Sequence, residues 1–65
     1  MIAEEVKRLR TKKKLSQEKL PRLADISYNT VVKIESGSTP NPGVKTLSKI
    51  AKALDVSVDK LISEE

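Results

Sequence analysis

The chain has 65 residues, enough for one domain, and a domain this small buries only about 60% of the surface its unfolded chain exposes. It contains no Cys and no His, which excludes a disulfide staple, a Cys/His zinc site, a thiolate nucleophile and the usual general base. The net charge is +4 but unevenly spread: residues 7–49 hold eleven Lys and Arg against Glu18, Asp25 and Glu35, whereas the ends hold Lys52 and Lys60 against six acids.

A basic stretch of this kind suits a polyanion such as nucleic acid, and equally suits a solvated face. Neither Gly37 nor Gly43 lies in a phosphate-binding loop pattern, and no carboxylates or lysines pair at a suggestive spacing. An enzyme is therefore not expected, nor a metal, nor a cofactor. No apolar run approaches the roughly 18 residues a membrane span needs. Met1-Ile2-Ala3-Glu4-Glu5 lacks the basic and apolar regions of a signal peptide, so a cytoplasmic location is expected.

Periodicity and capping residues predict five helices, over residues 2–13, 16–24, 27–36, 42–54 and 57–63, in one all-α domain covering 1–65. In the first, Ile2, Val6 and Leu9 form an amphipathic stripe, and Lys12, Lys13 and Lys14 complement the negative end of the helix dipole. Ser16 reads as the N-cap of the second, with Leu20, Leu23 and Ala24 as its buried stripe. Asp25-Ile26 makes a tight turn, Ser27 caps the third helix, Val31 and Ile34 point inward, and Gly37 ends it. The run from Ser38 to Gly43 is a loop whose end is also a start, with Asn41 as cap and Pro42 at the first helical position. Val44, Leu47, Ile50, Ala51 and Leu54 give the fourth helix its stripe. Ser57 caps a short fifth bearing Val58, Leu61 and Ile62. No internal repeat, low-complexity segment or linker is evident.

Two short helices separated by so few residues form a helix-turn-helix candidate, in which the second can enter the major groove while the first crosses the backbone. The runs Leu15-Ser16-Gln17-Glu18-Lys19-Leu20, Leu23-Ala24, Ile26-Ser27 and Ile34-Glu35-Ser36-Gly37 occur in the order and spacing of a known family. The tail from Thr46 to Ile62 fits that family's last two helices. The chain resembles the Cro/lambda-repressor-like (Xre) helix-turn-helix family over nearly its whole length.

The resemblance implies a compact five-helix bundle, with the helix-turn-helix at helices 2 and 3, that binds double-stranded DNA. It implies that Tyr28, Asn29, Thr30 and Lys33 read bases from the outward side of the third helix, with Thr30 equally able to reach a phosphate and Tyr28 suited to a phosphate or the groove edge. Asn29 suits an adenine edge and Lys33 a guanine edge. Phosphate contacts are expected from Ser16, Gln17, Ser27, Thr39, Asn41 and Lys45, where free backbone N–H groups at helix starts also favour anions. Val32 can meet a thymine methyl or pack beneath the helix, and the residues leave that open. Lys12, Lys13 and Lys14 suit long-range attraction more than fixed contacts. Arg10 and Glu35 are expected to pair and brace the first helix against the third.

The function implied is a transcriptional regulator, a repressor by expectation, acting as a homodimer on a pseudo-palindromic operator and associating with the nucleoid when bound. Val56, Val58, Leu61 and Ile62 are dimer-contact candidates that serve equally well as core. Two alternatives share the fold: an antitoxin or restriction-modification controller protein with a protein partner, and an interaction module that has lost DNA binding. Pro21 and Asp25 stand where the family usually has Ala and Gly. Pro21 removes a helical bond to the Gln17 carbonyl, which predicts a kinked or late-starting second helix and below-average stability.

Overall fold

The computed structural model describes residues 2–39 and 42–62. Five helices follow one another: α1 (Ile2–Lys12), α2 (Lys19–Ala24), α3 (Tyr28–Ser36), α4 (Val44–Leu54) and α5 (Val58–Ile62). They form the expected all-α bundle, with no strand among the described residues. Helices as short as α2 and α5 are unstable alone, so packing must hold them. Val6, Leu20, Val31, Ile34, Ile50, Leu54 and Leu61 are wholly buried, and each helix supplies at least one of them. Each such burial is worth about 1.5–3 kcal/mol. α1 packs on α3, α4 and α5, while α2 packs on α3 and α4.

The start of α2 carries the mark of Pro21. Ser16 does cap: its Oγ accepts from the Lys19 N–H at 3.0 Å. Its carbonyl accepts from the Leu20 N–H at 3.2 Å. Pro21 has no N–H to offer the Gln17 carbonyl, so Gln17 and Glu18 form a turn and the regular helix begins at Lys19, three residues after Ser16. Pro21 itself is buried.

That burial explains why one expected core residue is outside. At about 100° per residue, Leu20, Ala24 and Pro21 fall within about 100° of arc, and Leu23 lies roughly 60° beyond its edge. Leu23 is 55% exposed. Val44, expected to begin the stripe of α4, is 77% exposed because the helix reaches the core only at Leu47. α4 also starts later than expected, at Val44 rather than Pro42, with Gly43 in the cap position and making no side-chain bond. The expected cap Asn41 lies outside the described residues. Leu61 takes the second of the two roles open to it: wholly buried in the common core, it closes the bundle.

The two turns at Asp25 and Asp55 are built alike, a repeat of construction that periodicity did not reveal. Asp25 (φ 58, ψ 47) and Asp55 (φ 59, ψ 43) both take the left-handed conformation that ends a helix. The next N–H turns back to an earlier carbonyl: Ile26 to Pro21 at 3.0 Å and Val56 to Ala51 at 2.9 Å. Ile26 and Val56 then pack against the core. A serine follows in each case, and Ser27 and Ser57 accept from Thr30 N–H at 3.1 Å and Lys60 N–H at 3.2 Å.

Candidate nucleic-acid interface

Residue order along α3 sets which side chains face outward. Val31 and Ile34 are buried, which leaves Tyr28, Asn29 and Lys33 exposed on the other side. Thr30 and Val32 are half-buried flanks. Among the described residues neither Asn29 nor Lys33 has an intramolecular side-chain hydrogen bond. The Thr30 hydroxyl does, lying 2.7 Å from Ser27 Oγ. Two hydroxyls that share one hydrogen bond retain one free O–H between them.

The far end of α3 is held by charge. Glu35 accepts from Arg10 Nε at 2.7 Å and from Arg10 Nη2 at 3.2 Å, a bidentate pair. The Arg10 and Glu35 side chains are only 13% and 3% exposed. Arg10 Nη1 also donates to the Leu15 carbonyl at 2.7 Å. Gln17 Nε2 donates to Glu35 Oε1 at 3.0 Å. One carboxylate thus joins α1, the turn before α2, and α3. The sequence suggested the Arg10–Glu35 contact through resemblance, but neither Leu15 nor Gln17 carried a signal for joining it. The Gln17 amide, expected at a phosphate, is bonded to Glu35, and one of its N–H groups and its oxygen remain for an outside partner.

After α3 the chain is tied back. The Lys33 carbonyl accepts from Ser36 Oγ at 3.0 Å and from the Thr39 N–H at 3.2 Å. Thr39 is half-buried, while Ser16, Ser27 and Lys45 are exposed at or beside helix starts. Lys12, Lys13 and Lys14 are exposed at the end of α1, with Lys14 left-handed at φ 58. Of the expected phosphate contacts, Asn41 is the one outside the described residues. Among the described residues no cluster of acids is suited to a metal, and no helix is long and apolar enough to cross a membrane.

A model of the helix-turn-helix family matches residues 6–61. The chain belongs to the Xre-like helix-turn-helix family of DNA-binding domains. Solved members of similar structure include SinR, a master regulator for biofilm formation, in complex with DNA. That structure aligns with a TM-score of 0.93 and 32% identity, covering 97% of this chain and 100% of that one. A SinR protein/SinI protein complex aligns with a TM-score of 0.94 and 33% identity, covering 98% of this chain. This Xre-like chain spans 62% of the length of that second match. No curated protein matches.

Proposed function

We propose that this Xre-like domain is a sequence-specific regulator of transcription that docks α3 in the major groove of double-stranded DNA. The observation that carries the reading is α3 itself. It is fixed at its start by Ser27 and near its end by Arg10, yet presents Tyr28, Asn29 and Lys33 to the outside. The DNA complex of SinR supports the same reading. Ser16, Gln17, Ser27, Thr39 and Lys45 serve as phosphate contacts beside it, and Asn41, outside the described residues, is expected to join them.

The regulator acts as a repressor, with two copies on half-sites about 34–36 Å apart. With Leu61 inside the core, the dimer contact falls to Val56, Val58 and Ile62, of which Ile62 is 46% exposed. A second reading, a protein partner that controls the regulator, is favoured by the SinR/SinI complex.

Selection on randomised duplexes tests the proposal, with binding to the winner repeated across salt concentrations. A pseudo-palindromic winner is expected. Equal binding to all sequences, falling steeply with salt, would leave only phosphate attraction and refute the regulator reading.

A further inference from the structure

We infer that the hollow between α2 and α4 docks an acidic amphipathic helix of a partner protein. Such docking deepens the protein-partner reading above, on which it rests, and is independent of the DNA reading. The hollow measures about 430 Å³ and is lined by Leu23, Ala24, Asp25, Lys49, Lys52 and Ala53. These residues are not among the expected DNA contacts, so an occupant does not compete for those side chains. A lone exposed leucine is ordinary on a protein surface. Leu23, 55% exposed, instead shares the hollow with Ala24 and Ala53, which makes a small apolar floor.

Charge then selects the occupant. Lys49 and Lys52 are three residues apart on α4, so they share a side, roughly 4.5 Å apart along the axis. Lys49 Nζ reaches the Asp25 carbonyl at 3.4 Å, longer than an ordinary bond of about 2.7–3.2 Å. That acceptor is neutral, and Lys52 is exposed. Among the described residues, Asp25 is the one acid lining the hollow, against two ammonium groups. A phosphate backbone would meet the lysines but leave Leu23 in water. A helix whose apolar residue is flanked by carboxylates three or four apart meets both. Two copies of a chain of net charge +4 repel, which favours an acidic partner over self-association.

The test follows backbone amide shifts of the isotope-labelled domain on adding a capped helical peptide with leucines along one face and glutamates beside them. Control peptides carry serine for leucine or lysine for glutamate. Shifts are expected to centre on residues 23–25 and 49–53. Either control peptide should bind roughly tenfold more weakly or worse, as should the first peptide to Leu23→Ser or Lys52→Glu. Both side chains are exposed, so the core survives these changes, and thermal melts check that it does. Lys7→Glu, the same charge reversal on α1, should leave peptide affinity unchanged. No peptide binding, equal binding of the serine peptide, or equal loss in Lys7→Glu would overturn the proposal. Shifts of the same residues on concentrating the domain alone would give the hollow to a second copy and overturn it as well. Shifts centred on another face would overturn this seat while sparing the protein-partner reading. Duplex selection is unaffected by any of these results, so the DNA reading stands or falls separately.

Discussion

The corners at Asp25-Ile26-Ser27 and Asp55-Val56-Ser57 share a left-handed aspartate, an apolar residue on the core and a capping serine. They lead to very different helices. α5 has five residues and is held by one buried anchor, Leu61. α3 has nine, is anchored by Val31 and Ile34, and is gripped through Glu35 by Arg10 of α1. Local turn chemistry therefore sets how the chain reverses, and does so twice. What distinguishes the recognition candidate, among the described residues, is the long-range clamp of Arg10 on Glu35.

Removing that clamp should have the largest effect. Among the described residues, Arg10→Met leaves the buried Glu35 carboxylate with Gln17 alone, and a loss of about 3–5 kcal/mol is expected in urea unfolding. That is most of a stability of ~5 kcal/mol. The matching change at the other corner, Leu61→Ala, opens a cavity and should cost about 2–5 kcal/mol. A loss below about 1 kcal/mol for Arg10→Met would show that packing alone positions α3.

The serines come next. Ser27→Ala and Ser57→Ala should each lower stability by about 1 kcal/mol in thermal melts. They should differ on DNA. Ser27→Ala weakens duplex binding, and Ser57→Ala leaves the affinity of the folded domain unchanged. Equal weakening by both would erase the functional difference between the corners.

Asp25→Gly and Asp55→Gly should act alike, each raising stability by up to about 1 kcal/mol, because glycine takes the left-handed conformation without steric penalty. Opposite signs in parallel melts would mean that the corners are held by different forces. Smallest of all is the exposed Glu5–Arg8 pair on α1, with Arg8 Nε 2.9 Å from Glu5 Oε1. The hydrogen bond from Arg8 holds the Glu5 carboxyl below its ordinary value. Its contribution is therefore full above the ordinary glutamate range and is lost as pH falls through the lowered folded value. Glu5→Gln should narrow the difference in melting temperature between neutral and strongly acid pH, slightly and less so in high salt.

The fold was legible where one residue type carries a local rule. Ser27 and Gly37 bounded α3, and Val31 and Ile34 fixed its inward side, so its outward residues followed. The exposure of Leu23 is not legible from periodicity because Pro21, a helix breaker by type, is also a core residue. As a buried residue it turns the covered face of α2 toward itself and carries Leu23 out. Val44 was misplaced because a stripe shows which residues share a side, not where along the helix the core begins. The clamp was half visible. Resemblance suggested Arg10 and Glu35, while the parts played by Leu15 and Gln17 depend on how α2 starts after a missing backbone bond. The twin corners were not legible because helical periodicity carries no signal for three-residue turns.

Tyr28 is the chain's only aromatic residue, since there is no Trp and no Phe. It sits at the first position of α3 and is 50% exposed. The domain thus carries one intrinsic fluorophore, placed at the tip of the proposed recognition helix. Its emission is an unlabelled local probe: a change on adding duplex would report the surroundings of that tip, with no other aromatic signal from the protein to subtract.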